Sequence, residues 1–146
     1  MKQRVITLIG TLAMIVSALV ISTPAVAAAD WAPHCDDGQL STSQYWASTG
    51  QYTTPRSVGW TDGTTYNKVE LRYNAAARCV WGLYTGGKSA QVYLDRSTNG
   101  GASWAGWLGA RGPSTSVYTG VYNDYSPYVA RACANYGGRS FCTGWY

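Results

Sequence analysis

The chain has one histidine, one phenylalanine and two methionines in 146 residues, and only 12% of its residues are charged. Each scarcity excludes something. The lone imidazole, His34, stands beside Cys35. A Ser-His-Asp device would have to recruit it from there, and no Gly-x-Ser-x-Gly stretch accompanies it. Basic residues from Arg56 to Arg139 occur singly, never as a run. A polybasic surface for nucleic acid or anionic lipid is therefore absent. The cysteines form no Cys-x-x-Cys pair, so a zinc site built from them with His34 lacks its usual spacing. Acidic residues number seven, and Asp36, Asp37, Asp62, Glu70, Asp95 and Asp124 each read as turn or strand positions rather than as paired carboxylates. Asp36-Asp37-Gly38 lacks the further oxygen ligands of a calcium loop and reads as a turn. No enzymatic activity, metal or cofactor is expected.

Long apolar runs are missing too, except at the start. Lys2 and Arg4 precede an apolar stretch from Val5 to Val20 broken only by Thr, Gly and Ser, and Ala25-Val26-Ala27 or Ala27-Ala28-Ala29 offers a small-residue cleavage site. The run is short for a bilayer span, which needs about 20 apolar residues. Residues 1–29 are expected to be an export signal, giving a secreted protein with no membrane insertion. The exported body carries nine Lys and Arg against seven Asp and Glu, a net charge of +2.

What is abundant is aromatic. Seven Trp and twelve Tyr fall after the leader, together with four cysteines, Cys35, Cys79, Cys133 and Cys142. An oxidising compartment permits disulfides, and four cysteines allow three pairings. Asn135-Tyr136-Gly137-Gly138 reads as a hairpin turn that favours Cys133 with Cys142, leaving Cys35 with Cys79. On a loop-entropy model the short bridge stabilises by about 2.7 kcal/mol and the long one by about 4 kcal/mol.

From Thr64 onward the chain reads as strands. Lys68-Val69-Glu70-Leu71-Arg72-Tyr73 alternates, placing Val69, Leu71 and Tyr73 inward and Glu70 and Arg72 outward. Cys79 to Tyr84 continues the pattern, Gly86-Gly87 marks a turn, and Ala90, Val92 and Leu94 then face inward. Further strands are expected over 104–110, 115–122, 128–134 and 140–145. No window has a helical period. The expected fold is all-β over 63–146, a small antiparallel barrel or sandwich held by two disulfides. Ser97-Thr98-Asn99-Gly100-Gly101-Ala102-Ser103-Trp104 matches the Asp-box pattern of sialidase hairpins, a local staple in which Asn99 bonds turn backbone and Trp104 folds over the loop.

Residues 30–62 differ in kind, being rich in Ser, Thr and Gln and punctuated by Trp31, Tyr45, Trp46, Tyr52 and Trp60. They read as an irregular N-terminal arm that either lies over the β-domain or docks on a partner. Twelve tyrosines exceed what a modest core can satisfy, since each phenol needs a polar partner. Tyr93, Tyr118, Tyr122, Tyr125 and Tyr128 are candidates for an exposed strip, and with Trp31, Tyr45, Trp46 and Tyr52 they form the candidate interaction set. Such rings suit protein partners and also sugars, which stack on aromatic faces. A sugar site would pair one or two exposed rings with fixed polar groups in a groove, whereas a protein interface would be a broader patch with few charges.

Val69-Glu70-Leu71-Arg72-Tyr73, Cys79-Val80-Trp81, Val117-Tyr118-Thr119-Gly120-Val121, Ala130-Arg131-Ala132-Cys133 and Cys142-Thr143-Gly144-Trp145 together resemble the YjfA-like family of small secreted proteins of Gram-positive bacteria. The resemblance covers Val69 to Tyr146. That family is a domain of unknown function, so it implies a secreted β fold with disulfides and supplies no reaction. Its members carry further cysteines before the Glu-Leu-Arg-Tyr strand, where this chain has Cys35 alone. The expected role is a secreted, non-enzymatic protein-interaction module, such as an adaptor in an extracellular toxin-type assembly. The alternatives are a carbohydrate- or cell-wall-binding module, for which Trp104 and Trp107 are the residues to test, and a peptidase inhibitor presenting Arg111-Gly112-Pro113.

Overall fold

The computed structural model describes residues 35–146, so the expected leader over 1–29, together with Trp31 and His34, lies outside the described residues. The body is one seven-stranded antiparallel sheet, curled into a half-barrel, with one short helix. The helix α1 spans Leu40–Thr49, and the strands are β1 Thr53–Asp62, β2 Thr65–Asn74, β3 Cys79–Ser97, β4 Ala105–Tyr118, β5 Tyr122–Asn123, β6 Val129–Tyr136 and β7 Arg139–Cys142. Strand order is β1-β2-β3-β6-β7, with β4 and β5 on the opposite edge of β3. The all-β expectation holds.

Strand β3 is the spine. Its first half pairs with β2 (Val69↔Tyr84, Leu71↔Gly82, Tyr73↔Val80) and its second half with β6 (Val92↔Ala134, Leu94↔Ala132). Period-2 alternation therefore puts Val69, Leu71, Val80, Tyr84, Val92, Leu94 and the alanines of β6 on one fully buried face. Trp60 of β1 and Phe141 of β7 stack at 4.0 Å, so the two ends of the curl meet through side chains. Arg56 Nε adds a bond to the Trp145 carbonyl at 3.3 Å.

Both disulfides form as expected. Cys133 and Cys142 face each other across β6 and β7, whose connection is a two-residue turn with Gly137 and Gly138 at φ 58° and 77°. Successive positive φ values suit a hairpin turn of the kind that glycine favours. Cys35 joins Cys79 at the start of β3.

The segment expected to be irregular contains α1 and β1. Helix α1, Leu-Ser-Thr-Ser-Gln-Tyr-Trp-Ala-Ser-Thr, buries Thr42, Ser43 and Trp46. Only one of these is a large apolar residue, so no apolar period is visible in the sequence. Tertiary contacts hold the helix instead. Trp46 is 1% exposed and lies 5.6 Å from Trp81, and the buried Ser43 hydroxyl bonds the Thr119 carbonyl at 2.8 Å. Gly50, at φ 69°, ends the helix with its N–H on the Trp46 carbonyl. Strand β1 pairs with β2 along its length and tolerates Pro55 because it is an edge.

Two further expectations are corrected. Gly86-Gly87 is not a turn, since β3 runs unbroken from Cys79 to Ser97. The glycines are needed because Gly86 lies against Tyr84 and Asn67 and Gly87 against Thr65, leaving no room for a Cβ. Likewise Arg111-Gly112-Pro113 is no projecting loop: it lies inside β4, with Arg111 opposite Val92. Among the described residues no helix is long and apolar enough to cross a membrane.

The docking of α1 predicts a contrast between neighbours. Trp46→Ala lowers the unfolding free energy by about 3–5 kcal/mol, whereas Tyr45→Ala, at a half-exposed position, stays within about 0.5 kcal/mol. Urea denaturation followed by circular dichroism measures both, and equal costs would mean that the helix does not pack as described.

Candidate functional site

The two faces of β3 are treated differently. One is the core. On the other, α1, Tyr52 and Tyr118 cover Trp81 and Cys79, whereas Trp107 and Arg131 lie over the half carrying Tyr93 and Asp95, both of which are buried. That half holds the tryptophans. Trp107 lies on Tyr93 at 4.1 Å with an angle of 18° between rings, and Trp104 lies 6.0 Å from Trp145. Trp104 and Trp107 are each 51% exposed.

Trp104 immediately precedes β4, and the bulges of β4 place Trp107. Between Arg96↔Ala105 and Ala90↔Ser114 the intermediate pairs are Leu94↔Leu108 and Val92↔Arg111, so β4 uses three residues for every two of β3. Each interval contains one left-handed residue: Trp107 at φ 60°, Gly109 at 60° and Gly112 at 102°. A bulge of this kind increases local twist and re-aims a side chain. Glycine accepts positive φ freely, whereas tryptophan there is strained by about 1–3 kcal/mol. The strain places the Trp107 indole flat on the buried Tyr93 ring, with its other face outward.

Each exposed ring is backed. Arg131 Cζ sits 4.7 Å from both the Trp104 and Trp145 rings, and its guanidinium is held by Asp95 at 2.8–2.9 Å. Tyr93 donates its hydroxyl to Ser140 at 2.9 Å. A second stack has the same order: Arg96 lies 4.3 Å from the Tyr128 ring and is held by Asp37 at 2.8 Å and the Asn123 carbonyl at 3.2 Å. Between Trp104 and Tyr128 opens a cleft of about 380 Å³, lined also by Arg96, Ser97, Thr98, Ser103 and Ala105.

The Asp-box expectation holds in its hydrogen bonds and shifts in its aromatic. Ser97 Oγ accepts from the Asn99 and Gly101 N–H groups at 3.1 and 2.9 Å, and Asn99 Oδ1 accepts from Ser103 N at 2.9 Å. The ring against Gly101 belongs to Trp145, not Trp104, which turns outward.

The expected tyrosine strip does not form. Tyr93 and Tyr122 are buried, on opposite faces of β3: Tyr93 lies under Trp107, while Tyr122 pairs with Val80 and enters the core. Tyr118 is half-buried beside Trp81, and Tyr128 is half-buried under Arg96. Tyr125 is exposed, with Arg78 4.7 Å from its ring. In the arm, Trp46 is buried, Tyr52 is half-buried with Arg72 at 4.0 Å, and Tyr45 faces solvent. The hydroxyls of Tyr84, Tyr93 and Tyr136 find polar partners within the fold, while Tyr45, Tyr66 and Tyr125 are exposed at separate places.

The acids are engaged within the fold. Lys88 at 2.7 Å and the Tyr136 hydroxyl hold the Asp62 carboxyl below its ordinary range. Burial opposes the charge of Glu70, yet Lys68 and Arg72 keep its pKa lowered. The outward reading of Glu70 and Arg72 holds for the face but not for exposure, because the start of that face is covered. Asp95, Cys133 and Cys142 lie together, but the disulfide removes both thiolates as metal ligands. Asp124 stands apart: burial pushes its pKa up to about 6, and its buried Oδ1 has no hydrogen-bond partner.

Comparison of the chain with family models, curated proteins and solved structures finds no match. Fold and face thus define the class by themselves: a disulfide-bridged half-barrel carrying an outward tryptophan pair at the start of a bulged edge strand.

The Asp124 carboxyl has an observable consequence. A folded-state pKa near 6 lies above the unfolded value of about 3.9, so the destabilisation is fully present at neutral pH and disappears as pH falls through 6 toward 4. With partial solvent access it is worth about 1 kcal/mol. The melting temperature rises by a few degrees between pH 7.5 and 5, and Asp124→Asn raises it at pH 7.5 while flattening the slope. An unchanged slope in the variant would assign the pH dependence elsewhere.

Proposed function

We propose that the protein is a secreted, non-enzymatic binding module whose ligand face is formed by Trp104 and Trp107, and that the ligand is carbohydrate. The observation that carries this reading is the pair of half-exposed indoles, Trp104 immediately before β4 and Trp107 within it, each supported from beneath by a fixed partner. A ring lying flat on another presents its free π-face to solvent. That is what the C–H face of a pyranose stacks upon, and fixed rings lose little conformational entropy on binding. Hydroxyl-bearing Ser97, Thr98, Ser103 and Tyr128 adjoin Trp104 in a groove, the arrangement expected of a sugar site. The free edge of β4 is bulged three times and suits no added strand, which points to recognition by the face.

A second reading is a protein partner, as in the adaptor role. It is favoured by Arg131 and Trp145, which widen the patch, and by Asp95, which neutralises its one cation. Trp, Tyr and Arg are the residues of interface hot spots. The arm no longer counts toward it, since α1 and β1 are folded onto the sheet. Resemblance to the YjfA-like family accords with export and chooses no ligand. Secretion accords with the two disulfides.

Affinity electrophoresis in gels containing bacterial cell-wall polysaccharide tests the reading. Trp104→Ala and Trp107→Ala each weaken retention about tenfold, while Tyr45→Ala and Tyr125→Ala, exposed elsewhere, retain it. Undiminished retention in both tryptophan variants would sink the proposal, and loss of a co-purifying secreted protein instead would favour the second reading.

A further inference from the structure

Resting on the carbohydrate reading, we infer that the cleft between Trp104 and Tyr128 is a distinct subsite that binds one uncharged, hydroxyl-rich ring edge-on, continuing a glycan chain that lies on Trp107. The tryptophan platform alone would accept any flat apolar surface. The cleft is different in chemistry, because its lining sets hydroxyl groups and Arg96 between two aromatic walls.

Its walls are built alike. Trp104 is backed by Arg131 locked to Asp95, and Tyr128 by Arg96 locked to Asp37. The guanidinium of Arg131 does not line the cleft, so the opening meets another side of the Trp104 ring. Both arginines carry a carboxylate partner, and neither leaves a net charge at the site. An anionic ring would have to compete with Asp37 for Arg96, whereas a neutral sugar would not.

The polar groups are positioned before any ligand arrives. Ser97 Oγ is 2.8 Å from Asn99 Oδ1 and accepts from two backbone N–H groups, so it fixes the floor and has little left to offer. Ser103 Oγ accepts from Asn99 Nδ2 at 2.9 Å and keeps its own proton for donation outward. Thr98 and Tyr128 add two more hydroxyls to the lining. Donors and acceptors interleaved between rings match the alternating hydroxyl edge of a pyranose. The Asp-box turn is therefore more than a staple, since the same Asn99 that closes the loop orients Ser103 into the cleft.

Going back from β4 toward the hairpin the order is Trp107, Trp104, then the cleft. Three residues of chain separate the two tryptophans by at most about 11 Å, a spacing that serves neighbouring rings of an extended chain rather than one isolated sugar.

The test is isothermal titration of the full chain with β-1,4-linked N-acetylglucosamine oligomers of one to six rings. The inference expects affinity to rise with length over the first few rings. Ser103→Ala and Thr98→Val are each expected to weaken the longer oligomers about three- to tenfold, and Tyr128→Ala by tenfold or more. All three variants should leave the weak platform affinity of the monosaccharide unchanged. Because Tyr128→Ala also disturbs Arg96, the two exposed-position variants, Thr98→Val and Ser103→Ala, decide if it misfolds. Oligomer binding that is lost in Trp107→Ala but unaffected by the cleft variants would overturn the subsite while leaving the carbohydrate reading intact. Absence of binding by the wild-type chain to every oligomer would overturn both.

Discussion

Strand β4 uses three residues for every two of β3, and the rest of the exposed surface depends on that mismatch. A strand that must keep pairing with a straighter neighbour can absorb an extra residue only by bulging, and each bulge here contains one left-handed residue. Gly109 and Gly112 take two of these positions without strain. Trp107 takes the third with strain, in return for a flat seat on Tyr93. The bulges twist the strand, spoil the free edge for further strands, and turn the Trp107 indole outward.

The opposite constraint operates along β3. Both of its faces must be covered over the first half, because Trp81 and Cys79 lie behind a face already filled by Val80 and Tyr84. Helix α1 supplies the cover, tied at one end by Cys35–Cys79 and fixed by the buried Trp46 and Ser43. In the second half Trp107, with Trp104, Trp145 and Arg131, takes that place, leaving Tyr93 and Asp95 buried and the two indoles half-exposed.

Much of this was legible in the residues. The alternation of Val69 to Tyr73, the continuation through Cys79 to Tyr84, the inward set Ala90, Val92 and Leu94, and the Gly137-Gly138 turn that pairs Cys133 with Cys142 all reflect local rules with a period of two. Where the period changes, reading fails. In β4 it is three, so strands expected over 104–110 and 115–122 are one strand, and Arg111-Gly112-Pro113 lies inside it. In α1 the buried stripe is Thr42, Ser43 and Trp46, which carries almost no hydrophobic signal. Trp104 and Trp107 stand three apart with a glycine between them; that spacing was the available sign of an outward pair.

From the residues alone came the all-strand class, the two disulfides and the turn chemistry of Ser97 to Ser103, because each depends on neighbours within a few positions or on covalent pairing. Which aromatic faces water was settled only by tertiary structure. Tyr93 and Trp107 are far apart in sequence and have similar propensities; one lies under the other because β4 is bulged against β3, and no local rule records which ring ends up on top.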